Sequence, residues 1–210
     1  MIIAIDGPAG AGKSTLARRI AEHFGVAHLD TGSLYRAVAL RALALGAAAD
    51  PAIAAPAARA LDLSLLEDPR LRDDEVTAAA SLVAAIPEVR DALLGFQRGF
   101  AHRPGGAVLD GRDIGTVVCP DADAKLFLTA TPEARALRRS RELQGGSGGS
   151  IYGRVLADMK ARDARDSVRQ AAPLVAAADA IVIDTSTLDA DAAFAAALAA
   201  IAGRLAVTKR

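Results

Sequence analysis

The feature that most constrains this chain is the segment Gly7–Ser14. It reads GPAGAGKS and matches the pattern G-x-x-x-x-G-K-[ST] at every position. A short apolar run, IIAID, precedes it, and a segment with helical spacing, KSTLARRIAEHF, follows it. A glycine-rich turn between a strand and a helix lets backbone N–H groups converge on a phosphate, and the helix start adds the positive end of its dipole. The sequence therefore predicts a phosphate-binding loop rather than an ordinary strand–helix turn.

The residue types in this loop suggest separate tasks. Lys13 is predicted to place a positive charge on the β- and γ-phosphates of ATP, and the hydroxyl of Ser14 is a candidate ligand of Mg²⁺. A guanine-reading N-K-x-D motif is absent from the sequence, which argues against a GTPase. The residues predicted to bind ATP are Gly7, Pro8, Ala9, Gly10, Ala11, Gly12, Lys13, Ser14 and Thr15.

Apolar runs alternate with segments of helical spacing along the 210 residues. Strands are predicted at Ile2–Asp6, Val26–Asp30, Ala107–Asp110, Ala124–Ala130 and Ala180–Asp184. Helices are predicted at Lys13–Phe24, Gly32–Leu45, Glu75–Ala85, Pro87–His102, Pro132–Leu143, Ser150–Arg169 and Leu188–Ala206. This alternation predicts the α/β class, with a five-stranded parallel sheet covered by helices on both faces. With the phosphate loop it indicates the P-loop NTPase fold, in which ligands lie beyond the carboxyl ends of the strands.

Two stretches break this alternation. Ala47–Arg72 is rich in alanine and proline, and its Asp-Pro pairs, Asp50-Pro51 and Asp68-Pro69, are typical of turns. Gly145–Gly149 has the composition of a flexible linker.

Two polar motifs follow predicted strands. In DTGSLYR, Asp30 or Thr31 could simply cap the following helix, while Arg36 could also reach an acceptor phosphate. In DGRDIGT, Asp110 is a candidate for Mg²⁺ or its waters, and Arg112 and Asp113 could face an acceptor. The alternative interpretation of the second motif is a surface ion pair around a turn, which would do little for stability.

A third cluster lies on one predicted helix. Arg162, Arg165 and Arg169 recur at spacings that place them on one face, with Asp166 between them. They could belong to a solvated helix stabilised by ion pairs along its surface. They could also belong to a lid whose arginines close over the phosphates, because phosphoryl transfer needs the transferred group to be neutralised and aligned.

Taken together, these segments resemble the bacterial cytidylate (CMP) kinases, which are P-loop nucleoside monophosphate kinases. The resemblance runs from Ile2 to about Ala206. It is carried by GPAGAGKS, DTGSLYR, AAASLVAAIPEVR, DGRDIGTVV and ARDARD. Of these, the DGRDIGT and A-S-x-V-A segments are far more specific than the phosphate loop. The resemblance implies ATP-dependent phosphorylation of CMP and dCMP.

The resemblance also implies roles for individual residues. Contacts to cytosine fall on Ser81, Arg90 and Asp113, and ligands of the CMP phosphate on Arg36, Arg112 and Arg169. Thr31, Tyr35, Arg162 and Asp166 line the acceptor nucleotide, the last two near its ribose, and Arg165 is a lid arginine over the transferred group. The implied catalytic residues are Lys13, Arg112, Arg162, Arg165 and Arg169. The hydrogen-bonding groups of cytosine match these residues. A carboxylate such as Asp113 can accept from the 4-amino group, while Arg90 and Ser81 can donate to N3 and O2.

The domain organisation follows from the same comparison. We expect one kinase domain over 1–210, with a core of 1–46, 103–143 and 170–210, an acceptor-binding region of about 47–102 and a lid of about 144–169. Many members of the family carry a three-stranded insert in the acceptor-binding region. Here Leu61–Glu75 is too short for it, so a reduced hairpin or a loop is expected.

Composition excludes several other classes. The 25 basic and 25 acidic residues cancel, which gives no support to a nucleic-acid or membrane-surface partner. The lone Cys119 excludes a disulfide framework, and no signal peptide or membrane span is evident, so a cytoplasmic location is expected. The balanced charge and the few aromatic residues favour a monomer. Two alternatives stay open: a kinase of the same fold for UMP or another small acceptor, and a non-catalytic ATP-binding regulatory module.

Overall fold

The computed structural model describes residues 1–144, 151–168 and 172–208. Its strands are β1 Ile2–Asp6, β2 Ala27–Asp30, β3 Ala107–Gly111, β4 Ala124–Thr129 and β5 Ile181–Asp184. Its helices are α1 Lys13–Phe24, α2 Thr31–Ala44, α3 Pro51–Arg59, α4 Asp74–Val83, α5 Pro87–Ala101, α6 Pro132–Gln144, α7 Tyr152–Val168 and α8 Ala190–Thr208. No helix in these ranges is long and apolar enough to cross a membrane.

The five strands form one parallel sheet in the order β2-β3-β1-β4-β5. β1 therefore lies at the centre, and the carboxyl ends of all strands meet at one edge. The predicted parallel sheet and the predicted strands are confirmed, with boundaries that differ by one residue at most. Asp110 lies on the strand next to β1, as expected.

Helices cover both faces of the sheet because side chains of β1 alternate between them. Ile2 and Ala4 belong to an apolar cluster that includes α2, α4 and α5, whereas Ile3 and Ile5 belong to a second cluster with α1 and α8. Full burial of a side chain such as Ile3 contributes about 1.5–3 kcal/mol, so both clusters hold the sheet edge rigidly in place.

The stretch Ala47–Arg72 differs from the prediction. It contains α3, which begins at Pro51, because Asp50 caps the helix by accepting from Ala52 N at 2.8 Å. An Asp-Pro pair that is typical of a turn is here a helix start, since proline suits the first helical position.

No hairpin is formed in the described segment 61–75, so that alternative is wrong. The segment instead holds two 3₁₀ turns, Leu63–Glu67 and Pro69–Arg72. Asp62 and Asp68 each accept a backbone N–H two residues further on, from Ser64 and Arg70, at 2.9 Å. These local bonds favour compact turns over an extended strand.

Candidate active site

The phosphate loop joins β1 to α1 and depends on backbone shapes that favour glycine. Gly7 has φ +143°, and a Cβ atom there would lie 2.0 Å from the carbonyl oxygen of Leu128 on β4. Gly10 has φ +76°. The loop is therefore curled tightly against the sheet edge, as the motif predicts.

Lys13 is buried at the start of α1, and its Nζ donates to the carbonyl oxygen of Pro8 at 2.8 Å. Burial lowers the pKa of Lys13 well below its usual value, and the nearby positive charge of Arg112 lowers it further. Asp110 and Asp30 offset this only in part. The centre of the site is thus short of negative charge, which an anionic ligand would supply.

A hydrogen-bonded chain connects α1, β3 and β2 beside this lysine. Ser14 Oγ donates to Asp110 Oδ2 at 2.7 Å, and Asp110 Oδ1 lies 2.7 Å from His28 Nε2. Asp110 is 2% exposed. The hydroxyl and the carboxylate are hard oxygen ligands, and they suit Mg²⁺, which proteins usually hold through one or two carboxylates together with substrate phosphates. The role of His28 was not anticipated from the sequence.

The start of α2 forms one wall of the cleft beside the phosphate loop. Asp30 caps this helix by accepting from Ser33 N at 3.3 Å, and it also pairs with Arg36 Nη2 at 2.6 Å. Burial raises the pKa of Asp30, but the pairing with Arg36 outweighs it and leaves that pKa below its usual value. Thr31 Oγ1 donates to the backbone oxygen of Asp110 at 2.8 Å, which ties α2 to β3. Asp30 therefore caps the helix and orients Arg36 at once.

Opposite this wall, the loop after β3 meets α5. Asp113 forms a buried ion pair with Arg90. The guanidinium carbon of Arg90 lies 5.8 Å from the ring centroid of Tyr35. Arg90 also donates to the carbonyl oxygen of Ala84 at 3.4 Å. A carboxylate, a guanidinium and an aromatic ring thus converge from three elements.

Asp6, the last residue of β1, fixes the loop that carries Asp113. Its two carboxylate oxygens accept from Ile114 N at 2.7 Å and from Gly115 N at 2.8 Å. Burial raises the pKa of Asp6 to about 6, although both backbone bonds lower it. In the sequence, Asp6 is recognisable only as the last residue of a predicted strand. Its position directly before the phosphate loop was the signal for a role at the site.

Helix α7 brings predicted residues across the cleft. Arg112 Nε donates to Asp166 Oδ2 at 3.1 Å, and Asp166 is buried. Arg162 Nε is shielded from solvent, and no atom in the described part of the chain accepts its hydrogen. Burial lowers the pKa of Arg162 to about 10, with a further contribution from the charge of Arg112. This arginine is therefore held beside like charges without a full set of acceptors.

The predicted arginine cluster of the helix Ser150–Arg169 contains two further residues, Arg165 and Arg169. Arg165 is exposed, and its Nε donates to Ser81 Oγ at 3.4 Å. Arg169 lies outside the described residues, as does the predicted linker Gly145–Gly149.

One cleft of about 890 Å³ runs from the phosphate loop to Arg90 and Asp113. Its volume is at the upper end of the range of about 300–1,000 Å³ for small-molecule sites. Of the predicted residues that the structure describes, Gly7, Pro8 and Arg165 do not line it. The others do: Ala9, Gly10, Ala11, Gly12, Lys13, Ser14, Thr15, Thr31, Tyr35, Arg36, Ser81, Arg90, Asp110, Arg112, Asp113, Arg162 and Asp166.

The sequence matches the cytidylate kinase family over residues 3–202. It is 59% identical to a cytidylate kinase of Xanthobacter autotrophicus, over 97% of this chain and 98% of the relative. It is 58% identical to a cytidylate kinase of Methylocella silvestris, over 94% and 92%, and 59% identical to that of Paramagnetospirillum magneticum, over 97% and 98%.

Among solved structures, an uncharacterised protein from Eubacterium ventriosum shares the fold. The TM-score is 0.54 at 19% sequence identity, and the match covers 97% of this chain and 98% of that one.

Proposed function

The chain belongs to the cytidylate kinase family, and we infer that it is an enzyme that transfers a phosphoryl group from ATP to CMP. One observation carries the assignment of this reaction to the cleft. The phosphate loop and the Asp113–Arg90 pair open into the same space, and the shielded guanidinium of Arg162 lines that space too.

We propose that the residues divide between two nucleotides. Gly7–Thr15 would hold the phosphates of ATP, and Lys13 would neutralise the β- and γ-phosphates. Arg36 and Arg112 would hold the CMP phosphate, with Arg169 joining them. Thr31 and Tyr35 would line the acceptor, and Arg162 and Asp166 would lie near its ribose. No group on the protein needs to form a covalent bond, since positioning and charge neutralisation supply the catalysis.

The transfer itself is an in-line displacement. An oxygen of the CMP phosphate attacks the γ-phosphorus of ATP, the bond from that phosphorus to the β,γ-bridging oxygen breaks, and ADP leaves with the negative charge. Ser14 and Asp110 would hold Mg²⁺, which neutralises charge on the phosphates when it is bound. Arg162 and Arg165 would stabilise the charge that spreads over the transferred group.

Recognition of cytosine is proposed to rest on Asp113, Arg90 and Ser81. The carboxylate accepts from the 4-amino group, while the guanidinium and the hydroxyl donate to N3 and O2. Uracil presents an oxygen and an N–H in place of the first two groups, so it would leave buried polar atoms unpaired. Buried Asp113 is already fixed by its pairing with Arg90, which keeps the base site ordered.

We further propose a division of the domain. Residues 1–46, 103–143 and 170–210 would form the core, about 47–102 the acceptor-binding region and about 144–169 a lid that excludes water. The enzyme is proposed to work as a monomer in the cytoplasm. Sedimentation at micromolar concentration would test the monomer.

A coupled assay of ADP release with CMP, dCMP, UMP and AMP as acceptors tests the function. We expect CMP and dCMP to be used well and UMP poorly. Preferred use of UMP or AMP would assign the chain to another kinase of the same fold. ATP binding without phosphorylation of any acceptor would indicate a regulatory module and overturn the assignment.

A further inference from the structure

Arg135 on α6 is a buried cation that no sequence motif singled out. It is 2% exposed, and its Nε donates to the carbonyl oxygen of Ala130, just after β4, at 3.0 Å. Its Nη1 donates to the carbonyl oxygen of Ala9 in the phosphate loop at 3.0 Å. The guanidinium thus already connects the sheet edge to the loop that would hold ATP.

The same guanidinium forms a two-bond ion pair with Asp163 on α7. The distances are 3.1 Å from Nη1 to Oδ1 and 2.5 Å from Nη2 to Oδ2. This parallel arrangement is the strong form of an arginine–carboxylate contact and fixes the orientation of both groups. Asp163 is one residue from Arg162, which lines the cleft.

The phosphate loop also packs directly against both helices. A Cβ atom on Gly10 would lie 3.1 Å from Cε of Met159 on α7 and 3.2 Å from Cβ of Arg135 on α6. The backbone of the loop at Gly10 therefore contacts α6 and α7 at the same point. A shift of the loop changes the surface on which α7 rests.

Movement of α7 away from the cleft would break the pair between Arg135 and Asp163. A buried guanidinium that loses its carboxylate keeps its desolvation cost without compensation, and breaking such a pair is strongly unfavourable. Arg135 therefore stabilises α7 in the docked position. Because it also bonds to Ala9, that stabilisation depends on the conformation of the phosphate loop.

We propose that Arg135 and Asp163 are positioning residues that couple ATP binding at the phosphate loop to the docking of α7 over the cleft. The proposal rests on the proposed function, in that Gly7–Thr15 bind ATP. An ordered phosphate loop presents the carbonyl of Ala9 to Arg135, Arg135 holds Asp163, and α7 then places Arg162 in the cleft. Neither Arg135 nor Asp163 needs to touch the nucleotide.

The chain offers a matched control on the same two helices. Glu133 of α6 pairs with Lys160 of α7 at 3.2 Å, with the lysine 55% and the glutamate 56% exposed. This pair also joins α6 to α7, but both of its side chains are largely exposed. Exposed pairs of this kind contribute little. Lys160→Gln is therefore the control for Asp163→Asn.

Hydrogen exchange with the β,γ-imido analogue of ATP and Mg²⁺ tests the coupling. In the unaltered enzyme we expect the analogue to slow exchange in residues 7–24 and in α7. In Asp163→Asn the protection of 7–24 should remain and that of α7 should be lost, while Lys160→Gln keeps both. Protection of α7 in Asp163→Asn equal to that in the unaltered enzyme would overturn the coupling but leave the proposed function intact. Lack of protection of 7–24 in the unaltered enzyme would instead contradict ATP binding by this loop.

Steady-state kinetics supply a second test. A simple loss of stability would not change kcat or the share of ATP that is hydrolysed. We expect kcat of Asp163→Asn to fall about 100-fold through misplacement of the cleft arginines. The share of ATP hydrolysed without phosphorylation of CMP should rise, because an undocked α7 admits water. Asp163→Glu, which keeps the charge, should recover part of the loss, and Arg135→Lys, which cannot form both parallel bonds, should resemble Asp163→Asn. A lower melting temperature with unchanged kcat and unchanged hydrolysis would reduce the pair to a structural contact and refute the proposal.

Discussion

The hydroxyl of Ser14 lies 2.7 Å from Oδ2 of Asp110, although 96 positions separate the two residues in the chain. The contact exists because β3 pairs with β1 and so delivers its last residues beside the phosphate loop. His28, on the next strand, approaches the other oxygen of the same carboxylate. The carboxylate of Asp110 is therefore oriented from both sides by groups of the protein itself.

Replacing this carboxylate tests the proposed Mg²⁺ site. We expect Asp110→Asn to raise the Mg²⁺ concentration needed for half-maximal activity by about 10–100-fold, because an amide is a weaker ligand for a hard cation. A titration of activity with Mg²⁺ at saturating ATP and CMP measures this. His28→Gln, which alters only the support of the carboxylate, should give a smaller shift. An unchanged Mg²⁺ dependence in Asp110→Asn would remove this residue from the site.

Lys13→Met should separate catalysis from stability. We expect turnover to fall by about two or more orders of magnitude, since the charge that neutralises the β- and γ-phosphates is gone. The fold should survive without loss of melting temperature, because burial already lowers the pKa of Lys13 and so opposes its charged form in the folded protein. Stopped-flow measurement of ADP formation, beside thermal unfolding, checks both statements. Activity equal to that of the unaltered enzyme would exclude the phosphate loop from the reaction.

Asp113→Ala should affect CMP far more than ATP. We expect KM for CMP to rise about 10–100-fold and the preference for CMP over UMP to fall, because the acceptor for the cytosine amine is lost. KM for ATP should change little. Asp121→Ala is the control, since Asp121 is 62% exposed and pairs with His102, and neither residue lines the cleft. Unchanged saturation with CMP in Asp113→Ala would refute the role of this carboxylate.

The pKa of Asp6 predicts a pH dependence of stability. Its pKa is about 6 in the folded protein, against an ordinary value of 3.8. Between these values the folded protein keeps a proton that the unfolded chain has lost, so the contribution of Asp6 is full below pH 4 and is lost as the pH rises through 6. A shift of about two pKa units corresponds to about 3 kcal/mol.

Urea unfolding of the unaltered protein and of Asp6→Asn between pH 4 and 7 isolates this contribution. Other carboxylates titrate in both proteins and cancel in the difference. The stability of the unaltered protein relative to Asp6→Asn should therefore decrease across this range. A difference that does not depend on pH would show that Asp6 titrates normally.

Gly7→Ala should prevent normal formation of the phosphate loop. The added methyl group would meet the carbonyl oxygen of Leu128 at 2.0 Å, and the backbone has positive φ. We expect a loss of about 3 kcal/mol or more in the free energy of unfolding. Gly25→Ala is the control, because Gly25 also has positive φ but faces open space. The control should lose only about 1–2 kcal/mol, and equal losses would mean that backbone strain alone explains Gly7.

Much of the fold was predictable because its signals are local. The bounds of α1 follow from Gly12 before it and Gly25 after it, and both lie where the sequence indicates. The strands followed from short apolar runs, four of which end in aspartate. The helix α3 was missed because Asp50-Pro51 fits a turn and a helix start equally well, and only packing of its alanine face on the core decides between them.

In the candidate site, the residues that could be predicted are those that belong to a recognisable sequence motif. Asp113 and Arg162 belong to recognisable segments, whereas Arg135 and His28 do not. Arg135 binds Ala9 at a separation of 126 residues, and His28 meets Asp110 at a separation of 82. Such contacts are created by the order of strands in the sheet, and no spacing along the chain encodes them. Asp6 lies directly before the phosphate loop in the sequence, but the residues that donate to it, Ile114 and Gly115, lie 108 and 109 residues away.

The central place of β1 in the sheet has a consequence for synthesis on the ribosome. β1 is translated before the other four strands of the sheet, yet its neighbours are β3 and β4, which end at Gly111 and Thr129. A nascent chain that stops before these strands exposes both edges of an apolar segment, and such edges attract other chains. The loop at the end of β1 cannot take its final shape until translation has passed Thr129.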